Sequence, residues 1–447
     1  MILRSALCVL AVVVFAASAP GAPKAKPKEP ELPFPPTLPE AKTMVTDRAG
    51  DFLKPPATLR SGVAVAREAP TVDFMYYPGQ DYPGKPWSVW GDGVCVGRKY
   101  YSAIGDHLAP SGTARVFEYD PETKAIRRLL DVKSLLKLPE GHYVPGKIHS
   151  RLDDGGDGWL YCGTHRGSSR TTTDAYHYTG DWILRVQPST GRAEAVVRGP
   201  VPKHCLPCSV TDGKRGIFYG GTAAGSDAKD QGIQFFAYDL RKGKLLYSGG
   251  DGPERYMILA ASTGRVYFVP GGGGNGPLVR FDPAKPGKPI QIAQNFGLRA
   301  ATTETADGMV YSVSKAGRET ATIWALNTRT EKVEEIGPAN VGVQGYITTL
   351  DADPTGRFLY YTPGAHGGSE GDGTPIVQYD LKLKRPKVLA FLHPFYQERY
   401  GATLKGTFSA ALDATGERYF TTWNTSRGSK AWDCCTLTVV HIPRSER

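Results

Sequence analysis

Cysteine, methionine and long apolar segments are scarce in this sequence. Its 447 residues include 7 Cys and 5 Met. Beyond the first 19 residues no stretch is long and apolar enough to cross a bilayer, so we expect no membrane span. No Cys-x-x-Cys-His motif is present, which argues against covalently attached haem.

The first residues have the character of an export signal. Arg4 precedes an apolar run over residues 6–17, and small residues occupy positions 16–19. This pattern predicts a secretory signal peptide over residues 1–19, and therefore a secreted or periplasmic protein. Residues 20–60 are rich in Pro, Lys and Glu, which is typical of an extended or disordered leader. The folded domain is then expected over residues 61–447.

Six cysteines follow the expected signal peptide: Cys95, Cys162, Cys205, Cys208, Cys434 and Cys435. In an oxidising compartment some of them could pair, and the sequence does not choose the partners. Cys205-Leu-Pro-Cys208 has the spacing of a metal knuckle or a redox pair, but no second such pair is present. For Cys205 and Cys208 we expect a disulfide or a plain structural role ahead of zinc binding, and zinc binding ahead of redox activity.

A Gly-x-x-Tyr pattern recurs along the chain and indicates the fold. It begins at Gly97, Gly158, Gly216, Gly264, Gly308, Gly356 (one residue longer) and Gly416. An apolar alternation ending in an aromatic-Asp pair, or its relic, follows each copy, as in Phe117-Glu118-Tyr119-Asp120. A strand-rich repeat of roughly 45–60 residues is typical of a β-propeller with one blade per repeat. The sequence therefore predicts an all-β, seven-bladed propeller.

The last repeat lacks a fourth strand, because the chain stops at Arg447 soon after its third. An unpaired sheet edge favours aggregation, and propellers usually close it. Residues 62–66 or 71–76, both apolar, could supply the missing strand. We therefore expect an N-terminal strand to close the ring in blade seven.

Chemically active side chains recur at one rim of the expected disc. Antiparallel order brings the start of the first strand and the end of the second strand of every blade to the same rim. The residues at these positions are Asp106, His107, Lys147, His149, His165, His204, Arg255, Tyr256, Arg299, Gln344, Tyr346, His366, Lys405 and Asn424. His149 and His165 belong to one blade, so we expect them to be close together. Any one of the residues could instead be a solvated polar group.

This set of side chains favours β-elimination on a uronate-containing glycan. Imidazole can accept or deliver a proton near neutral pH, and Arg can neutralise a carboxylate through directed hydrogen bonds. Hydrolysis of a glycoside would need two facing carboxylates, and the rim offers Asp106, with Asp153 or Asp174 as further candidates, without an evident pair. A lyase is therefore favoured over a hydrolase.

The segment from Lys147 to His165 resembles one blade of a known enzyme family. Lys147-Ile148-His149-Ser150 and Asp157-Gly158-Trp159-Leu160-Tyr161-Cys162-Gly163-Thr164-His165 are similar to the blade that carries two active-site histidines in propeller polysaccharide lyases of the ulvan lyase type. The resemblance implies catalytic roles for His149 and His165, with Arg255 and Tyr256 as counterparts of the family's Arg and Tyr. The substrate-binding residues expected around them are Lys147, His204, Arg299, Tyr346 and His366.

The same resemblance leaves the metal content open. Lyases of this type can carry a structural divalent metal, which His204, Cys205 and Cys208 could echo; no cofactor is otherwise expected. The oligogalacturonate lyase propeller is a more distant resemblance, and its His-and-Gln metal site has only scattered counterparts in His204, Gln344 and His366.

The net charge of +10 fits a polyanionic partner. Charge alone suits an acidic polysaccharide, a cell-surface polyanion or nucleic acid; we expect an acidic polysaccharide, no nucleic acid, and a monomeric protein. The alternative is a non-catalytic propeller that binds glycans or proteins, with Trp87, Trp90 and Tyr346 as stacking platforms. A metal-dependent hydrolase is a third option, but Glu304 is the single Glu expected on an inner strand.

Overall fold

The computed structural model describes residues 32–447, and a compact unit spans Phe34–Arg447. The expected signal peptide, residues 1–19, lies outside the described residues. Two short α-helices are present, α1 (Val132–Leu136) and α2 (Phe395–Tyr400). Short 3-10 helices lie at Pro39–Ala41, Gly50–Leu53, Ser169–Thr171, Asp174–Tyr176, Ser369–Asp372 and Arg444–Glu446. No helix in the described part of the chain is long and apolar enough to cross a membrane.

Seven antiparallel blades form a ring, as the repeats predict. The N-terminal strands are β1 (Val45–Asp47), β2 (Ala64–Val65) and β3 (Thr71–Tyr76). Blade one contains β4 (Val94–Val96), β5 (Lys99–Gly105), β6 (Ala114–Asp120) and β7 (Ala125–Asp131). Blade two contains β8 (Lys147–Ile148), β9 (Asp153–Asp154), β10 (Leu160–His165), β11 (Trp182–Val186) and β12 (Ala193–Arg198). Blade three contains β13 (His204–Asp212), β14 (Ile217–Ala224), β15 (Phe235–Asp239) and β16 (Lys244–Gly249).

The remaining four blades repeat this meander. Blade four contains β17 (Ile258–Leu259), β18 (Val266–Phe268), β19 (Asn275–Phe281) and β20 (Ile290–Gly297). Blade five contains β21 (Ala300–Ala301), β22 (Met309–Val313), β23 (Thr322–Asn327) and β24 (Lys332–Pro338). Blade six contains β25 (Asp351–Ala352), β26 (Phe358–Tyr361), β27 (Pro375–Asp380) and β28 (Arg385–Phe391). Blade seven contains β29 (Thr403–Leu412), β30 (Arg418–Ser426) and β31 (Cys434–His441).

The glycine of each repeat makes the turn between the first and second strands of its blade. All seven glycines have a positive φ, from 62° at Gly97 to 86° at Gly308, a region that suits glycine because a Cβ is strained there. The aromatic residue three positions later packs toward a neighbouring blade. Tyr100 of blade one, for example, stacks on Phe420 of blade seven with ring centroids 5.3 Å apart.

An N-terminal strand closes the ring in blade seven. Strand β3 is antiparallel to β31, with Thr71 opposite His441 and Tyr76 opposite Thr436. Of the two candidate segments, residues 71–76 are therefore the closing strand. Residues 64–65 instead run parallel to β28 at the outer edge of blade six.

Part of the expected leader is folded. We expected residues 20–60 to be extended or disordered, yet β1 pairs with the outer side of β3, Val45 opposite Phe74. Leu38 and Phe52 are buried, and Phe52 packs edge-on against Phe395 with ring centroids 4.8 Å apart. The Pro, Lys and Glu content concealed these few apolar anchors, which bury enough surface to hold the segment on blade seven.

Candidate functional site

Four of the expected rim residues, His149, Arg255, Tyr256 and Arg299, line one pocket, called here the rim pocket. Its empty volume is about 350 Å³. It is lined by Trp90, Asp92, His149, Arg151, Pro207, Cys208, Ser209, Arg255, Tyr256, Arg299, Thr348 and Phe408. These residues come from the first strands of the seven blades or from the segments that precede them, so the pocket exists only once the ring is closed.

The two histidines of blade two lie side by side, as their positions predict. The centroids of the His149 and His165 rings are 5.1 Å apart, and the rings are edge to face. Lys147 and His165 are register partners on β8 and β10, which places His149 just beyond the end of that pair. His165 is buried, and no described residue gives its Nδ1 a hydrogen-bond partner.

His149 is held as a neutral ring with one nitrogen free for chemistry. Its Nδ1 lies 2.9 Å from the carbonyl oxygen of Pro207, which can only accept, so Nδ1 carries the proton. Burial, followed by the positive charge of Lys147, lowers the pKa of His149 to about 3. Nε2 therefore presents a lone pair at neutral pH. Burial and the neighbouring His149 likewise lower the pKa of His165.

Arg299 lines the rim pocket, and Tyr346 lies beside it, outside the residues that line the pocket. Arg299 is 4% exposed, and its Nε donates a hydrogen bond of 2.8 Å to the Tyr346 hydroxyl. No carboxylate among the described residues pairs with Arg299. The guanidinium also lies 5.1 Å from the centroid of the Tyr346 ring. Because the Tyr346 oxygen accepts from Arg299 and the described residues offer its proton no acceptor, that proton is available to a ligand.

Arg255 and Tyr256 differ from each other in how they could act. Arg255 lines the rim pocket and makes one long ion pair, 3.4 Å, with Glu254. The Tyr256 hydroxyl donates to the carbonyl of Ala301 at 2.9 Å and accepts from Arg151 at 3.2 Å. Burial raises the pKa of Tyr256. The proton of Tyr256 is thus committed to the backbone, and Tyr346 is the better placed of the two tyrosines to act as an acid.

Trp90 is the centre of an aromatic cluster beside the histidine pair. Its ring stacks on His149, with centroids 6.1 Å apart, and meets Phe408 at 4.9 Å and His366 at 5.8 Å. The ammonium of Lys147 lies 4.5 Å from the Trp90 ring centroid. Burial and the charge of Arg166 lower the pKa of Lys147 to about 8. Trp87, the other expected stacking platform, is fully buried and is not available to a ligand.

The structure places a group of carboxylates near the rim pocket that the sequence analysis did not predict as a group. Arg151 Nε lies 2.7 Å from Asp153 Oδ1. Burial raises the pKa of Asp153 and of Asp351 to about 7, and burial together with the charge of Asp351 raises that of Asp92. Arg151 and Asp153 both belong to blade two, whereas Asp92 precedes blade one and Asp351 lies in blade six, so no spacing within one repeat brings all four residues together.

His204 lies apart from the pocket. Its Nδ1 contacts the Thr222 hydroxyl at 2.9 Å and its Nε2 contacts the carbonyl oxygen of Asp230 at 3.1 Å. Both nitrogens are therefore engaged within blade three, and the geometry supports a structural role rather than the expected substrate contact.

The residues present do not fit the expected structural metal. Within residues 32–447 no three His, Cys, Asp or Glu side chains are grouped so as to hold an ion. His204, Cys205 and Cys208 fail because both His204 nitrogens are occupied. Gln344 and His366 do share a groove, described next, but His204 is not near them.

A wider groove, called here the outer groove, continues from the rim pocket. Its empty volume is about 1380 Å³. It is lined by Arg255, Asn275, Ser314, Lys315, Ala316, Gly317, Arg318, Glu319, Thr320, Gln344, Tyr346, His366 and Gly367. Arg255 belongs to both sites. Tyr346 and His366 stack here with ring centroids 4.9 Å apart.

The described cysteines are all unpaired, so the expected disulfide option is wrong for Cys205 and Cys208. Both lie on β13, where the register against β14 shifts between them. The Cys205 sulfur contacts the Tyr178 hydroxyl at 3.2 Å. Burial raises the pKa of both thiols, which disfavours the reactive thiolate.

No protein-family model and no curated protein matches the sequence. Among solved structures, an oligogalacturonate lyase in complex with manganese has a TM-score of 0.52 at 11% identity, covering 90% of this chain and 98% of that chain. The oligogalacturonate lyase of Vibrio parahaemolyticus has a TM-score of 0.51 at 11% identity, covering 91% of this chain and 99% of that one. At such identity the likeness shows the propeller fold alone.

Proposed function

We propose that the protein is a lyase that cleaves a uronate-containing acidic glycan by β-elimination. The observation that carries the proposal is the neutral His149–His165 pair, 5.1 Å between ring centroids, of which His149 lines a pocket that Arg255 and Arg299 also line. A base without charge beside two cations suits the removal of a proton from a substrate that carries a carboxylate. The solved oligogalacturonate lyases share the propeller fold, which provides a precedent for lyase activity on this scaffold.

The reaction can be written with this chain's own groups. Arg299 and Arg255 bind the uronate carboxylate, which makes the proton on the adjacent C5 more acidic. His149 Nε2 takes that proton, and the electron pair forms the C4–C5 double bond as the bond from C4 to the glycosidic oxygen breaks. Tyr346 gives its proton to the departing oxygen, and the Arg299 Nε–H stabilises the phenolate that remains. Proton transfer from His149 through solvent then restores Tyr346.

Hydrolysis is less well supported by the lining of the rim pocket. Asp92 is the single carboxylate among its lining residues, whereas glycoside hydrolysis ordinarily uses two facing carboxyl groups. Asp153 is held against Arg151.

A non-catalytic glycan-binding propeller is the second candidate. The aromatic cluster around Trp90 favours it, because aromatic faces with adjacent cations bind sugars without any need for a base. In that case the two histidines would serve as walls of the binding site.

The experiment that separates the candidates is incubation with a panel of acidic polysaccharides, including polygalacturonate, alginate and sulfated uronate polymers, from pH 6 to 10. Ultraviolet absorbance of the unsaturated uronate measures β-elimination directly. We expect product from at least one polymer. Binding without unsaturated product, with and without added divalent metal, would replace the lyase by the binding protein.

We also propose export from the cytoplasm as a monomer. The N-terminal sequence pattern supports the proposed export. Fractionation followed by N-terminal sequencing tests it: a mature protein that retains Arg4 would contradict cleavage, and light scattering would reveal a dimer.

A further inference from the structure

The outer groove concentrates positive charge that an ion pair offsets at Arg255 alone, through Glu254 at 3.4 Å, among the described residues that line it. Arg255, Lys315 and Arg318 line it together. No described carboxylate forms an ion pair with Lys315 or Arg318, and Lys315 Nζ contacts just a backbone carbonyl, that of Gly272 at 3.3 Å. Like charges held at one site repel each other, and the structure shows no contact through which their proximity would stabilise the fold.

The one carboxylate that lines the groove does not offset these charges. Glu319 is exposed, and its Oε2 accepts a hydrogen bond of 2.7 Å from the backbone N–H of Gly317. It therefore shapes its own loop. The groove keeps a net positive charge.

The position of Lys315 is fixed by a neighbouring blade. Asn275, at the start of β19, donates to the Lys315 carbonyl at 2.9 Å and accepts from the Lys315 N–H at 2.8 Å. This paired contact between blades four and five holds the backbone from which the Lys315 side chain enters the groove. The Lys315 side chain therefore projects from backbone that Asn275 holds in position, and not from a loop without contacts.

The groove is continuous with the rim pocket. Arg255 lines both, and the Arg299–Tyr346 hydrogen bond joins the wall of one to the stacked Tyr346 and His366 rings of the other. The pKa of His366 is lowered first by partial burial and then by the charges of Arg299, Arg255 and Lys315, so the positive fields of the two sites overlap at this ring. A chain bound in the rim pocket would extend into the groove.

We propose that the outer groove is a subsite for a second anionic residue of the same glycan, where Lys315 and Arg318 bind a sulfate or carboxylate and the Tyr346–His366 pair supports the sugar ring. This rests on the proposed function. It identifies the substrate class as a polymer with anionic groups on neighbouring residues, rather than one with a single isolated uronate. Cleavage then requires a chain long enough to fill both sites.

The test compares a double variant, Lys315→Ala with Arg318→Ala, with a charge-matched control, Lys285→Ala with Lys288→Ala. The control lysines are exposed on the turn between β19 and β20, outside both sites. Calorimetry at low salt measures binding of polygalacturonate, which carries carboxylates, of dextran sulfate, which carries sulfates, and of neutral dextran. The two anionic probes distinguish the two oxyanions.

We expect the groove variant to bind at least one anionic polymer about tenfold more weakly than wild type, with the control close to wild type. The polymer that is more affected identifies the oxyanion. Equal losses in groove and control variants, unchanged binding in the groove variant, or wild-type protein that prefers neither anionic polymer to dextran would each overturn the proposal.

Failure of this proposal and failure of the proposed function give different results. If no polymer yields unsaturated product while the groove variant still loses affinity, the lyase is wrong and the subsite stands. If product forms and the groove variant cleaves and binds as wild type does, the lyase stands and the subsite is wrong.

Discussion

At the scale of single residues, the histidine pair gives the clearest expectation. His149→Ala and His165→Ala should each lower turnover by about 10²–10⁴-fold, because each removes a group placed to move or orient the abstracted proton. The initial rate of unsaturated product measures this, and circular dichroism checks the fold. His142→Ala is the matched control. The His142 ring stacks on His177, with ring centroids 4.0 Å apart, and neither residue lines the rim pocket. A similar loss of turnover in His142→Ala would contradict a specific role for His149 and His165.

The two tyrosines can be separated by removing their hydroxyl groups. Tyr346→Phe should lower kcat by about 10²–10⁴-fold, because it removes the proton offered to the departing oxygen, and should also lower the free energy of unfolding by about 1–3 kcal/mol, because the buried Arg299 Nε–H loses its acceptor. Tyr256→Phe should likewise lower the free energy of unfolding by about 1–3 kcal/mol, since the Ala301 carbonyl loses its donor, but should leave kcat of the folded fraction near wild type. Steady-state kinetics and chemical denaturation of both variants test this prediction. If Tyr256→Phe loses kcat and Tyr346→Phe does not, Tyr256 is the acid.

Lys147 predicts a pH dependence of binding. Its pKa is lowered to about 8, so the side chain is charged below that pH and becomes neutral as the pH rises through it. We expect affinity for polygalacturonate to fall between pH 7 and 9, and this step to be smaller in Lys147→Met, where the ionisation of Asp153 and Asp351, whose pKa values are raised to about 7, still contributes. His149, with a pKa of about 3, stays neutral over the whole range and contributes no step. Titration calorimetry at fixed salt tests this, and an identical step in the variant would contradict it.

At the scale of elements, the register shift in β13 is the feature with a direct consequence for the site. It lies between Cys205 and Cys208, and Pro207 within it presents its carbonyl to His149. Replacing both cysteines with Ser should lower the free energy of unfolding by about 1–3 kcal/mol per buried hydroxyl left without a partner. Turnover of the folded fraction should remain near wild type.

Reductant provides an independent measurement on the same element. Because the described cysteines are unpaired, dithiothreitol should leave the thermal midpoint of the wild-type protein unchanged. A marked drop would show a disulfide, and a folded double Ser variant without turnover would place the thiols in the chemistry.

Elements that depend on local sequence could be predicted. Each Gly-x-x-Tyr turn is set by a few adjacent residues, and Gly97 and Gly416 alike adopt the positive φ that the pattern requires. The proximity of His149 and His165 followed from strand order inside one blade. The packing of Phe52 against Phe395 could not be predicted, since those residues are distant in sequence and the surrounding composition indicates a linker.

At the scale of the whole molecule, charge should govern the encounter with substrate. The net charge is +10, and exposed charges separated by more than about 8 Å are largely screened at physiological ionic strength. Raising salt from low to high should therefore lower kcat/KM on the polymer that is cleaved while kcat changes little. Steady-state kinetics across a salt series measures this. A fall in kcat alone would instead indicate an effect on the chemistry.

Contacts between residues of distant blades could not be predicted from the sequence. Trp90 precedes blade one, yet its neighbours include Phe408 of blade seven and His366 of blade six. Asp92 and Asp351 come from opposite ends of the folded chain and interact electrostatically beside Arg151. Such contacts depend on how blades meet after closure, and no spacing within a repeat encodes them.

The closure of blade seven also determines how the molecule would respond to a pulling force. Thr71 lies opposite His441, so the segment that leads into β3 and the segment that leads out of β31 lie at the same end of the ladder. Tension between them would open the strand pairs one after another, like a zipper, and would not load them together in shear. The first resistance would come from Glu446, whose carboxylate accepts from the backbone of Arg67 and from Lys387. The ring is therefore mechanically weakest along the line where it is joined.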